Sequence, residues 1–198
     1  MSETPSSQFT SHRSQADPRR LAALKEAEGC FELATLRAHG AAPLAPACAA
    51  LLNRVLYQLD EIEERWWPRA DSQRLRGEVY RYLGRFDEAV EPLSFVAEQE
   101  PEDIGAWLAL GWCFKRLGRV DLAIDALEEG LTADPTAAIL HYNLACYWAL
   151  LHNTELAVEY LAQAFEIDPL YRDLVSQEPD FDPIRHDAAF RAVASVIV

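Results

Sequence analysis

Small, apolar and proline residues recur along this chain with a period of 34 residues. Pro101, Pro135 and Pro169 are 34 residues apart, and each ends one unit of the pattern. Four further columns share the offset: Gly77, Gly111 and Ala145; Tyr80, Phe114 and Trp148; Ala89, Ala123 and Ala157; and Leu93, Leu127 and Leu161. A fixed period of this length predicts three copies of one helix pair that stack side by side.

The columns fit a pair of antiparallel helices joined by a tight turn. The small residue of the first column lets the partner helix approach closely, and the aromatic residue three positions later lies on the same face. Gly84 and Gly118 stand where the first helix should end in a left-handed conformation. The third unit has His152 and then Asn153 at this place, and we expect Asn to adopt that conformation.

The middle unit carries the residues of a known repeat. Its sequence, WLALGWCFKRLGRVDLAIDALEEGLTADP, resembles a tetratricopeptide repeat at Trp107, Leu110, Gly111, Phe114, Ala123, Leu127 and Pro135. The resemblance implies an all-α fold, a right-handed α-solenoid of antiparallel helix pairs with terminal capping helices. It covers residues 70–171, with repeats at about 70–103, 104–137 and 138–171.

The first repeat departs from the family pattern. Gln73 and Arg76 stand where the family prefers apolar residues, so we expect this repeat to pack atypically against the preceding segment. That segment, residues 19–69, shows helical spacing in two stretches and predicts a helical hairpin. Two interpretations of the hairpin stay open: a degenerate repeat with a lengthened linker, or an unrelated capping hairpin.

The two ends of the chain predict different structures. Residues 1–18 are rich in Ser, Thr and Pro, lack the apolar core of a secretory signal and predict a disordered tail. Residues 172–198 predict capping helices over the last repeat, with Phe190, Val193 and Ile197 on one side of the final helix. The string EPDFDPIRHDAAF within them is similar to the closing segment common in bacterial tetratricopeptide proteins.

Composition and charge narrow the class of protein. The 198 residues include 18 Lys and Arg against 32 Asp and Glu, a formal net charge of -14, which argues against nucleic acid as a partner. No apolar run is long enough for membrane insertion, and the four cysteines are too widely spaced for a zinc or redox motif. We therefore expect a cytoplasmic protein whose cysteines are buried thiols.

Motifs for catalysis and cofactor binding are missing from the sequence. It contains no nucleophile elbow, phosphate-binding glycine loop or metal-binding HExxH helix, and its five histidines are scattered. We therefore expect no catalytic residue, no metal site and no cofactor, in a protein that is not an enzyme.

The resemblance implies a function for the first helix of each repeat, because in this family these helices line a concave groove that binds peptides. The predicted peptide-binding groove consists of Arg74, Arg81, Tyr82, Leu108, Trp112, Lys115, Arg116, Tyr142 and Asn143. Basic and aromatic side chains suit an acidic or an apolar segment of a partner protein. Alternatively, Trp112 and Tyr142 pack against the terminal segments and the groove is filled.

The leading hypothesis is a non-enzymatic scaffold or adaptor that binds a peptide segment of a partner protein in this groove. Two alternatives stay open: a structural protein that forms homo-oligomers by self-assembly, and a regulatory subunit of an enzyme complex. Recognition of chaperone tails is disfavoured, because Glu78 and Ala109 stand where the family's carboxylate clamp has Asn, and Ile139 stands where it has a cation.

Overall fold

The computed structural model describes residues 17–36 and 44–195, and every regular element in these two ranges is a helix. The α-helices are α1 (Pro18–Thr35), α2 (Pro46–Trp66), α3 (Ala70–Tyr82), α4 (Phe86–Gln99), α5 (Ile104–Arg116), α6 (Val120–Ala133), α7 (Ala138–Leu150), α8 (Thr154–Ile167), α9 (Tyr171–Val175) and α10 (Ala188–Ala194). A 3₁₀ helix at Pro179–Ile184, which we call the cap turn, lies between α9 and α10. Most of the predicted disordered tail, residues 1–16, and Ile197 lie outside the described ranges.

The helices pack in sequence order as an all-α solenoid. Helix α3 packs against α4, α5 against α6 and α7 against α8, which forms the three repeats. Between repeats, α4 packs against α5 and α6 against α7, so each helix pair buries its apolar face on the next pair. The all-α class and the stacked helix pairs predicted by the 34-residue period are confirmed.

Close contact within a repeat depends on the small residue of the first helix. A β-carbon on Gly77 of α3 would lie 2.6 Å from the Leu93 side chain of α4, which is shorter than a carbon–carbon contact allows. Leu93 is buried, as are Leu127 and Leu161 at the equivalent positions of the next two repeats. The glycine column and the leucine column of the sequence are therefore two sides of one contact.

The turn inside each repeat requires a residue with positive φ. Gly84 and Gly118 have φ values of 72° and 74°. In the third repeat His152 takes this conformation, with φ of 58°, while Asn153 caps α8 by accepting a hydrogen bond from the backbone N–H of Leu156 at 3.1 Å. The expectation that Asn153 is the left-handed residue is therefore wrong, because its side chain satisfies a helix N-terminus instead.

A polar junction joins the N-terminal hairpin of α1 and α2 to the first repeat. Glu63 on α2 accepts hydrogen bonds from Gln73 Nε2 at 2.8 Å and from Arg76 Nη2 at 2.7 Å. Arg20 on α1, whose side chain is 2% exposed, forms a bidentate ion pair with Asp71 at the start of α3. The atypical packing expected at Gln73 and Arg76 is confirmed, since both bind a carboxylate where the family pattern has apolar side chains.

The C-terminal segment covers the third repeat. Helix α10 packs against α8, and the cap turn packs against α7. Phe181, Ile184 and Phe190 are buried in one apolar cluster with Leu140 and Leu144 of α7. This cap closes the apolar face that the last repeat of a stack would otherwise expose to water.

We expect His152→Gly to stabilise the protein. A left-handed conformation is strained for a residue with a β-carbon, so the change should raise the free energy of unfolding by about 1 kcal/mol. Denaturant unfolding followed by circular dichroism measures the effect. The matched control is Gly118→Ala in the second repeat, which should lower the free energy of unfolding by a similar amount, and a neutral or destabilising His152→Gly would contradict the argument.

We expect Asp71→Asn to destabilise the junction, because the buried guanidinium of Arg20 loses its counter-charge. The free energy of unfolding should fall by about 2 kcal/mol, which is less than for a fully buried pair because Asp71 is 42% exposed. Asp125→Asn on the exposed side of α6 serves as the control and should change stability by less than about 0.5 kcal/mol.

The stabilisation from Asp71 should also depend on pH. Its hydrogen bond with Arg20 lowers the pKa of the Asp71 carboxyl below the ordinary value. A carboxyl with a lowered pKa in the folded state stabilises the fold above its unfolded pKa of about 3.9, and that contribution is lost as the pH falls through the folded pKa. The stability difference between the parent protein and Asp71→Asn should therefore be constant near neutral pH and shrink in acid, and a difference that persists undiminished in acid would exclude the ion pair as its source.

Candidate functional site

The nine predicted groove residues lie on the first helices of the three repeats, with three on α3, four on α5 and two on α7. Spacings of three and four residues along α5 place Leu108, Trp112, Lys115 and Arg116 on one side of that helix. The surroundings of this face differ between the repeats, and they decide which of its side chains could reach a ligand.

In the third repeat, the C-terminal segment covers the face. Tyr142 is only 6% exposed, and its ring centroid lies 5.0 Å from that of Tyr171 and 5.8 Å from that of Phe181 in the cap turn. Cys146, one turn further along α7, is buried as well. Burial raises the pKa of the Tyr142 hydroxyl. Of the two interpretations of the groove, the filled one describes the third repeat.

The cap turn also engages a cation of the second repeat. The ammonium of Lys115 forms an ion pair with the carboxylate of Asp180 and lies 5.8 Å from the ring centroid of Tyr147. Asp180 itself is buried. The cap turn thus places an acidic side chain, Asp180, against Lys115 of α5 and an aromatic side chain, Phe181, against Tyr142 of α7, which are both residues of the predicted groove.

The two arginines of α3 in the predicted groove are paired with carboxylates. Arg74 Nη2 lies 2.6 Å from Glu100 Oε2, and the same guanidinium contacts Asp103. Arg81 Nη1 lies 2.7 Å from Glu78 Oε1, one turn away on the same helix. An acidic ligand would have to displace these partners, which removes much of the attraction expected from the charge of the first helices.

An aromatic and cationic stack surrounds Trp112 on α5. The guanidinium of Arg81 lies 4.8 Å from the Trp112 ring centroid, and that of Arg116 lies 5.5 Å from it. Phe86 at the start of α4 meets Trp112 edge-on with a centroid distance of 5.1 Å, and Arg116 also lies 5.0 Å from the Phe86 centroid. These contacts hold the half-buried Trp112 in one orientation.

The remaining predicted residues have separate surroundings. Tyr82 packs edge-on against Phe31 of α1, with a centroid distance of 5.4 Å, and so contacts the N-terminal hairpin. The Asn143 side chain donates a hydrogen bond to the backbone carbonyl of Ile139 at 2.8 Å. Leu108 is half-buried against the apolar cluster of the last two repeats.

Apart from Lys115, which pairs with Asp180, the cap turn leaves uncovered the part of the face contributed by α3 and α5, and we call that part the open groove. Its side chains are partly or fully exposed: Arg74, Arg81, Leu108, Trp112 and Arg116. Of these five residues, Arg81 and Arg116 both contact the Trp112 ring.

Two buried thiols, Cys113 of α5 and Cys146 of α7, lie on the first helices of the second and third repeats. Burial raises the pKa of the Cys113 thiol to about 11, and burial likewise raises the pKa of Cys146, so both thiols are poor nucleophiles at neutral pH. In residues 17–36 and 44–195, His, Cys, Asp and Glu side chains form no group of three that could hold a metal ion. None of the helices in the described ranges combines the length and apolar character that crossing a bilayer requires.

Several residues that shape the groove were missed by sequence reasoning. Phe86 and Asp180 have no place in the repeat columns, yet one orients Trp112 and the other pairs with Lys115. A signal for Phe181 existed, since an aromatic residue in the segment after the last repeat is a candidate to cover the exposed apolar face. Nothing comparable links Lys115 to Asp180, which lies 65 residues further along the chain.

Solved structures with a similar fold include tetratricopeptide proteins. YrrB, described as a TPR protein with an unusual peptide-binding site, is 20% identical, with a TM-score of 0.58 over 80% of this chain and 87% of that chain. MamA of AMB-1 is 22% identical, with a TM-score of 0.56 over 76% of this chain and 90% of its own. MamA of Desulfovibrio magneticus RS-1 is 14% identical, with a TM-score of 0.56 over 77% and 92% of the two chains. These identities show a shared fold alone.

A comparison with curated proteins by sequence finds no match. A comparison with family models matches the tetratricopeptide repeat at residues 74–138 and 116–172. The two matches together span residues 74–172, half of the chain, and they coincide with the three helix pairs of the solenoid. The chain therefore belongs to the tetratricopeptide repeat family.

Proposed function

We propose that this protein is a non-enzymatic scaffold that binds a segment of another protein in the open groove. The observation that carries the proposal is the half-buried Trp112, which is held by two guanidinium groups and by Phe86 on a surface that the cap turn leaves uncovered. A tryptophan fixed in this way offers a large contact area and loses little side-chain entropy on binding.

The expected partner segment is apolar or aromatic. Arg74 and Arg81 already pair with carboxylates, so the groove offers little net charge to an acidic ligand. Trp112 and Leu108, which are both half-buried, provide the apolar surface of the open groove. Arg116 is exposed, and within the described ranges it pairs with no carboxylate. Its guanidinium can therefore donate hydrogen bonds to one carboxylate at the edge of the bound segment.

The cap turn limits the length of the segment. Because Asp180 and Phe181 occupy the face of the third repeat, a bound segment would contact α3 and α5 and end at the cap turn. YrrB, a similar fold, is described as having a peptide-binding site, which supports peptide recognition by this kind of solenoid.

Self-assembly and service as a regulatory subunit are the alternatives. Light scattering at several protein concentrations tests self-assembly. A measured mass that stays equal to the mass of one chain rules out self-assembly. A regulatory subunit would bind an enzyme through the same groove. Identification of the captured protein therefore distinguishes a regulatory subunit from a scaffold with no enzyme partner.

We expect Trp112→Ala to abolish capture of the partner from an extract of the native host. The matched control is Trp67→Ala, because Trp67 is 80% exposed and lies outside the open groove. Affinity purification with quantitative mass spectrometry should recover the partner with the parent protein and Trp67→Ala but not with Trp112→Ala. Circular dichroism checks that both variants are folded, and equal recovery with folded Trp112→Ala would rule out the open groove.

The apolar character of the segment predicts a weak dependence on salt. Screening shortens the reach of charge interactions to about 3 Å at 1 M ionic strength, whereas apolar burial is not weakened by salt. The complex retained at low salt should therefore survive a wash at about 1 M salt. Loss of the partner in that wash, together with loss in Arg116→Gln, would instead indicate an acidic ligand.

A further inference from the structure

Two adjacent residues of the cap turn show what the groove face of this solenoid can hold. Asp180 pairs with Lys115 at the end of α5, and the ring of Phe181 meets that of Tyr142 on α7 edge-on at a centroid distance of 5.8 Å. The exposed fractions of Asp180 and Phe181 are 8% and 0%. One acidic and one aromatic side chain, next to each other in the sequence, therefore bridge the first helices of two consecutive repeats.

The 34-residue period gives the open groove equivalent positions. Three residues near the cap turn have counterparts one repeat earlier: Lys115 and Arg81, Tyr142 and Leu108, and Cys146 and Trp112. Since successive repeats stack in the same way, α3 and α5 present these positions to a ligand as α5 and α7 present theirs to the cap turn. The cap turn is thus a guide to the chemistry of a segment bound in the open groove.

The aromatic side chain of such a segment fits the open groove at Trp112. Where the third repeat has the small, buried Cys146, the second repeat has Trp112, whose ring is half-buried. A ligand ring would therefore lie against the indole and the half-buried Leu108, and it would not become fully buried as Phe181 is. Edge-to-face or offset contact between two aromatic rings stabilises such a pair beyond the area that it buries.

The acidic side chain meets a different cation from the one that the period alone suggests. Arg81, the counterpart of Lys115, already pairs with Glu78, one turn earlier on α3. Arg116 is exposed, its guanidinium lies 5.5 Å from the Trp112 ring centroid, and within the described ranges it pairs with no carboxylate. A carboxylate beside a ring on Trp112 would therefore receive hydrogen bonds from Arg116 and not from Arg81.

The charge of the protein limits the number of acidic residues in the segment. Arg74, like Arg81, is engaged by carboxylates, and the chain as a whole carries a net charge of -14. A run of acidic residues would be repelled by this field, and Arg116 alone of the described groove cations would be without a carboxylate partner. One acidic residue next to an aromatic ring suits the open groove better than an acidic segment does.

We propose that the segment bound by the open groove contains an acidic residue directly followed by an aromatic one, which is the order of Asp180 and Phe181 in the cap turn. The aromatic ring packs on Trp112 and Leu108, and the carboxylate binds Arg116. This inference rests on the proposed function, because it specifies the chemistry of the segment that the open groove binds. It adds one acidic residue, at a fixed place, to the apolar or aromatic segment expected there.

A blocked hexapeptide, Ala-Pro-Asp-Phe-Ala-Pro, tests the proposal on the complete chain. It follows residues 178–183 of the cap turn but has Ala in place of both flanking acidic residues, so it carries a single charge. NMR titration should show saturable shifts at the indole N–H of Trp112 and at the backbone amide of Leu108. A peptide with Ala in place of Phe should bind about tenfold more weakly or worse, because the burial of the ring is lost.

Arg116→Gln separates the contribution of the charge from that of the ring. With the parent protein, Asn in place of Asp in the peptide should raise the Kd about fivefold, as expected of an exposed ion pair. With Arg116→Gln, the Asp and Asn peptides should bind equally. Trp112→Ala should abolish binding of both peptides. Arg54→Gln on α2 is the matched control and should leave every Kd unchanged, and circular dichroism checks that each variant is folded.

Three results would overturn this ligand chemistry. They are the absence of saturable binding by the Asp-Phe peptide, equally tight binding after Phe is replaced, and a preference for Asp over Asn that persists in Arg116→Gln. The first would show that the open groove does not accept the pair of residues. The second would show that the ring is not recognised, and the third would place the carboxylate on another cation.

The proposed function and this inference fail separately. If capture of the partner from the native host depends on Trp112 while the Asp-Phe peptide does not bind, the open groove remains the binding surface and only the acidic–aromatic order is refuted. If folded Trp112→Ala retains both the captured partner and the peptide, the open groove itself is refuted. The sequence of the captured segment gives an independent check, since it should contain Asp or Glu directly before an aromatic residue.

Discussion

The solenoid depends on how closely the two helices of each repeat approach one another. Gly77 faces Leu93 with no space for a β-carbon, and a β-carbon on Gly111 would lie only 3.0 Å from the Leu127 side chain. Because protein interiors are packed as densely as organic crystals, such a contact fixes the spacing and orientation of the helix pair. The packed side of the first helix then determines which of its residues point away from the partner. The groove positions are thus a consequence of the packing positions.

The stack ends in two physically different ways. At the N-terminal junction, Arg20 and Glu63 make charged hydrogen bonds to the first repeat, and the cost of removing charges from water offsets most of their attraction. At the C-terminal end, Phe181 and Phe190 bury aromatic rings, which stabilises the cap without that cost. The charged pairs of the junction therefore specify how the hairpin is oriented on the apolar contact that Leu75 and Val79 of α3 make with α1 and α2.

The regular part of this fold was predictable because one physical solution is repeated three times. Each column of the 34-residue period records the same contact, and even the departures at Gln73 and Arg76 correctly indicated atypical packing against the preceding segment. Prediction failed where two residues compete for one role, as at His152 and Asn153, where the helix cap decided the outcome. It also failed for Lys115 and Asp180, because a pair formed between the repeats and the cap leaves no periodic signal.

Charge counted along a helix is a poor guide to what its surface attracts. Cations on the first helices favoured an acidic ligand, but the long side chains of Arg74 and Lys115 reach carboxylates on other parts of the chain. In this protein of net charge -14 such pairing is common, and Arg76 and Arg85 have carboxylate partners as well. A cation indicates an anionic ligand only where the fold keeps carboxylates away from it.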